Sequence, residues 1–197
     1  MVFSGVHMKK LLLVLTVLAL TSSIHAQESY HDRLSKGEVI VETAEVVGSS
    51  IPEATVTAVI DVPPSDVWRI IEKCNDYPKN MVSIRKAVEL SRAGSVVVCE
   101  VTTAMPWPIS DLTAKTRAKH TVGPPVWSRE WNLIEGDYES NEGSWRIQSF
   151  NLENTRSLVV YRLHAVPKLS LPDVLIKYAQ RQVLPDLMEH IRERVKK

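Results

Sequence analysis

The side chains best equipped for chemistry are few. Cys74 and Cys99 are the only cysteines. Two thiols so far apart in sequence fall short of the ligand set of a zinc site. They read either as a disulfide, worth a few kcal/mol where the geometry fits, or as two buried free thiols on apolar faces. His31, His120, His164 and His190 follow the N-terminal apolar segment, and no two stand at a metal-ligand spacing. His120 and His164 fall near the ends of strand-like runs and read as structural, while His190 shares a polar helix face with Glu189 and Arg192. The chain has no serine nucleophile elbow, no phosphate-cradling glycine loop and no dinucleotide fingerprint. Nothing calls for a metal or a cofactor, and no catalytic residue is assigned.

The sequence does offer an apolar wall. Alternation along successive runs gives one inward set: Cys99, Val101 and Thr103; Ala114 and Thr116; Arg129 and Trp131; Trp145 and Ile147; Tyr161. A C-terminal helical pattern adds Leu175, Tyr178, Ala179 and Leu187. Apolar surfaces with a few hydroxyls and an indole suit a hydrophobic ligand. The same aromatics could equally fill a solid interior. Arg129 is the odd member. It either meets a buried acid or an anionic ligand head group, or snorkels out from near a strand end. Met105-Pro106-Trp107-Pro108-Ile109 is a stiff segment. It reads either as a gate or membrane contact, exposing Met105 and Trp107, or as a bulge with Trp107 packed beneath it.

The elements that must position these residues follow from periodicity. Runs at 38–47, 53–62, 82–90, 95–104, 112–120, 127–134, 144–150 and 158–166 are strand-like, with turn residues between them. The clearest is 112–120, where Lys115, Arg117 and Lys119 face one way and Ala114, Thr116 and Ala118 the other. Pro63-Pro64-Ser65-Asp66 opens a short amphipathic helix carrying Val67, Ile70, Ile71 and Cys74. From Pro172 to Val195 the apolar residues keep helical spacing over roughly 36 Å. Pro185, which lacks a backbone donor, is expected to kink that helix. Short turns between strands argue for an antiparallel meander. The resulting class is α+β: a curved antiparallel sheet wrapped around one long C-terminal helix.

The chain has 197 residues, 44% hydrophobic and 24% charged, which is the composition of one ordinary folded domain. Lys9-Lys10, the apolar run 11–20 and the small-residue stretch ending at Ala26 have the order of a secretory signal. The apolar run is about half of what a membrane-spanning helix needs. Residues 1–26 are therefore expected to be a cleaved signal peptide of an exported, periplasmic or secreted protein. Residues 27–36 are then a polar linker and 37–197 the domain. Without Lys9 and Lys10, 22 basic residues face 23 acidic ones. So even a balance gives no broad field to draw nucleic acid.

Three stretches carry a resemblance: Val59-Ile60-Asp61-Val62-Pro63-Pro64-Ser65-Asp66-Val67-Trp68 running on to Asp76-Tyr77-Pro78; Met105-Pro106-Trp107-Pro108-Ile109-Ser110-Asp111; and Tyr161-Arg162-Leu163-His164-Ala165-Val166-Pro167 before the long helix. In this order they resemble the START-like superfamily of helix-grip folds. It includes START lipid-transfer domains, the polyketide cyclase/dehydrase group and coenzyme-Q-binding proteins. Leu112-Thr113 stand where START domains continue with Arg-Asp, so a cavity charge at that point is not carried over. The resemblance implies a cavity between sheet and last helix. It also implies binding, and transport, of a lipid or isoprenoid-type small molecule with transient membrane contact. The alternatives are a cyclase-like enzyme using the same cavity, for which the resemblance implies an acid–base role for Tyr161 or Tyr178, and a protein-interaction module with a filled core.

Overall fold

The computed structural model describes residues 29–197. Eight strands pair into one sheet: β1 (Ile40–Ala44), β2 (Glu53–Ile60), β3 (Ile84–Ala93), β4 (Val96–Thr103), β5 (Leu112–Thr121), β6 (Val126–Gly136), β7 (Tyr138–Ser149) and β8 (Ser157–Pro167). Their order is β1-β2-β8-β7-β6-β5-β4-β3, antiparallel throughout. The meander from β3 to β8 is the expected one, and the N-terminal hairpin joins it through β2 and β8. The alternation on β5 sets the two faces. Ala114, Thr116, Ala118 and His120 are buried, while Arg117 and Lys119 face solvent.

Among the described residues five short α-helices complete the fold: α1 (Tyr30–Ser35), α2 (Pro64–Ile71), α3 (Tyr77–Asn80), α4 (Asp173–Tyr178) and α5 (Leu184–Arg194). Pro64 opens α2, where a missing N–H costs nothing. Asp66 lies in its first turn, and Val67, Trp68 and Ile71 face the core. Leu184, Leu187, Met188 and Ile191 of α5 pack against Val56, Ala58, Ile60 and Ile147 of the sheet. This is the helix-grip arrangement: a curved sheet closed by its C-terminal helix.

One expectation needs correction and another refinement. The polar run 27–36 is not simply a linker. Its residues 30–35 form α1, and Leu34, only 3% exposed, packs with Ile40 and Val59. The compact unit accordingly begins at His31. One well-placed leucine is enough to dock a polar turn of helix, and composition does not reveal that. The signal peptide expected at 1–26 lies outside the described residues. The C-terminal helix is long, as expected, and runs without a break from Asp173 to Arg194, but it is not α-helical throughout. α4 passes into a π turn, Ala179–Val183, before α5 begins. Pro185 has no N–H for the carbonyl of Arg181, and a π turn just before it absorbs the mismatch.

Candidate functional site

Between the inner face of the sheet and α5 lies a cavity of about 230 Å³. Val101 and Thr103 from β4, Ala114 and Thr116 from β5, Arg129 and Trp131 from β6, Trp145 from β7, Tyr161 from β8 and Leu187 from α5 all line it. The eight sheet residues come from one alternating phase of the sequence and meet because the register places them side by side, and Leu187 faces them from the helix. His120 pairs with Arg129, Arg129 with Trp145, and Trp145 with Tyr161. The Trp145 and Tyr161 rings lie 4.2 Å apart, and Trp131 stacks on Tyr161 at 5.9 Å. Trp131 Nε1 donates to Asn141 Oδ1 at 3.0 Å, which fixes the indole plane. Gly143 makes that position available. A Cβ there would sit 2.6 Å from Trp131 Cζ2 and would also meet the carbonyl of Arg162.

Seven expected wall residues lie elsewhere. Cys99 is buried behind the wall, joined by a disulfide to Cys74 at the end of the α2 segment. Ile147 is fully buried in the solid core with Met188 and Ile191. Met105 packs instead against Leu112, Ala114 and Tyr138. Its N–H is held by Asp111 Oδ1 at 3.1 Å. Trp107 is 92% exposed. It is therefore not packed beneath its loop, because the flanking prolines carry the chain away from the sheet. Leu175, Tyr178 and Ala179 do not reach the cavity, and Tyr178 is 57% exposed. The π turn resets the helical phase, so a face read continuously from Leu187 backward points the wrong way beyond Val183.

The wall includes residues that alternation did not supply. Tyr77 comes from α3, Met81, Val82 and Ser83 from the link that follows it, Ile84 from the start of β3, and Val183 and Leu184 from the join of π turn and α5. Tyr138, Asn141, Leu163 and Ala165 complete one end. Leu163 and Ala165 share the phase of Tyr161, and Asn141 that of Trp145. Leu163 and Ala165 already lay within the run 158–166, and extending the run 144–150 toward its start would have reached Asn141.

Arg129 neither snorkels nor meets an acid. It is 3% exposed. Its Nη1–H donates to His120 Nε2 at 2.6 Å and its Nη2–H to Cys99 Sγ at 3.4 Å. Its guanidinium carbon stands 5.7 Å from the centre of the Tyr77 ring. Burial, then the neighbouring guanidinium, push the His120 imidazole down to about 4. The ring is neutral at pH 7 and free to accept at Nε2. Burial pushes the phenols of Tyr77 and Tyr161 up, so both stay protonated. Tyr77 donates its proton to the carbonyl of Ile71 at 3.0 Å.

Comparison with known proteins matches this architecture. The family model described as polyketide cyclase / dehydrase and lipid transport covers residues 60–192. No curated protein is significantly similar in sequence. Among solved structures, the STAR-related lipid transfer protein of Xanthomonas axonopodis superposes with a TM-score of 0.69 at 15% identity, over 81% of this chain and 94% of that one. Human StAR-related lipid transfer protein 5 gives 0.68 at 12% identity, over 96% of each chain. The Zhui aromatase/cyclase of a Streptomyces species gives 0.58 at 16% identity, over 73% of this chain and 93% of that one. At such identities the likeness is one of fold, and that fold serves both a lipid carrier and a cyclase. With its helix-grip sheet, its apolar cavity and the matched span, the chain belongs to the polyketide cyclase / dehydrase and lipid transport family of the START-like superfamily.

Proposed function

We propose that the protein binds and carries a hydrophobic small molecule, of lipid or isoprenoid type, in the cavity between the sheet and α5. The observation that carries this reading is the cavity itself, about 230 Å³ walled largely by Val101, Ala114, Trp131, Trp145, Leu163 and Leu187. An apolar guest leaving water for such a wall gains about 25 cal/mol per Å² buried. Pockets for drug-sized ligands measure about 300–1,000 Å³, so this one suits a small or single-chain guest better than a two-chain phospholipid. The filled-core interaction module is disfavoured by the same space.

The disulfide supports maturation in an oxidising compartment, in line with export to the periplasm or medium. Exposed Trp107, Val174 and Tyr178 are side chains suited to a membrane interface, and a transient contact there would serve loading. A cyclase reading would draw on Tyr161, the phenol in the wall. Its protonated state supports a role as hydrogen-bond donor rather than base.

Native mass spectrometry of the protein purified from its source tests the proposal. A co-purified apolar molecule is expected, and a Trp131→Ala variant should stay folded but hold it at least tenfold more weakly. An empty protein that turns over an aromatic polyketide would replace the carrier with an enzyme. An empty, inactive protein would leave neither.

A further inference from the structure

The cavity has two unlike ends. At one, Tyr77, Thr116, Arg129 and Trp145 are buried, with the disulfide behind them. At the other, Thr103, Asn141, Ala165 and Val183 are only half-buried. Trp145 and Asn141 lie four residues apart on β7, so the ends are about 13 Å apart at the rise of a strand. The sealed end therefore carries the charge and the open end does not.

That charge is not balanced locally. Among the described residues no carboxylate forms an ion pair with Arg129. Glu89 is the carboxylate whose field reaches this cluster. Both its oxygens are already held by Arg92, at 2.8 and 2.6 Å. His120 is a neutral acceptor and Cys99 Sγ a weak one. A guanidinium has five N–H donors in a planar fork, and the two contacts above use two of them. Burying such a cation without an anion is costly. A monoanion at the cavity floor removes that cost and matches the single charge, and a carboxylate fits the fork bidentately.

We propose that Arg129 anchors the carboxylate of a single-chain amphiphile, which lies in the cavity head first with its apolar end toward Asn141 and Ala165. The proposal rests on the carrier reading above and names the class of its guest. Titration calorimetry of the full domain with decanoate and with decanol separates the two. Decanoate should bind at least tenfold more tightly than decanol, and Arg129→Gln should abolish that preference by weakening decanoate at least tenfold. Equal binding of acid and alcohol to the wild-type protein overturns the anchor but keeps the apolar pocket. Binding of neither overturns both. Should Arg129→Gln fail to fold, a crystal structure with ω-bromodecanoate still decides. Bromine near Asn141 and Ala165 supports the head-first pose, and bromine beside Arg129 refutes it.

Discussion

At the scale of single residues, His120 couples the cavity floor to pH. Its folded pKa lies near 4, against 6.5 for a free imidazole. The unfolded chain therefore binds this proton first. Its contribution to stability is fully present above pH 6.5 and is lost as pH falls from there toward 4. The ceiling on that loss is about 3 kcal/mol. Urea denaturation at pH 7.5 and 4.5 should show wild-type protein losing more stability on acidification than His120→Gln, by about 1–3 kcal/mol. An identical pH dependence in the two proteins would mean that the imidazole is freely hydrated. Arg129 shows what residue-level reading can and cannot reach. Its inward phase was legible from Trp131 two positions on. Its partners were not, because His120 and Cys99 come from other strands and only the sheet register brings them near.

At the scale of elements, the disulfide fastens the segment after α2 to β4 across a sequence separation of 25. Constraining a loop of that length stabilises by about 3–4 kcal/mol through the unfolded chain. Circular dichroism melts with and without reductant should therefore differ by roughly 10 °C in Tm, and equal melting curves would remove the staple from the account of stability. The strands and the helix after Pro63-Pro64 were legible because their periodicities are strong. Two elements were not. The first half of β7, from Tyr138 to Gly143, is polar and glycine-containing and reads as a turn, yet the ladder from β8 holds it extended. The π turn left only Pro185 as a local sign, and it misdirected the assignments of Leu175, Tyr178 and Ala179.

At the scale of the whole molecule, the grip depends on elements from opposite ends of the chain. β2 pairs with β8, and α5 packs on β2, with Arg192 donating to the carbonyl of Val59 at 2.8 Å. A chain ending at Glu153 keeps seven strands, β1 beside β2 among them, but loses β8 and α5, the two C-terminal elements that hold β2. It should show no cooperative unfolding transition, and a sharp transition in denaturant would refute this dependence. The cavity's existence belongs to this scale too. Alternation named most of its sheet wall, but whether the wall encloses space depends on how closely Leu184 and Leu187 approach it, and no local pattern encodes that distance.

The β2–β8 pairing also sets a timetable. Thr57 leaves the ribosome roughly a hundred residues before Val160, its register partner, an interval of about 5–20 s at ordinary rates of synthesis. Throughout that wait the apolar flank of Val56, Ala58 and Ile60 has no strand on one side. The N-terminal hairpin is therefore the stretch a holding chaperone would have to shield, and the final strand to be translated is the one that ends its exposure.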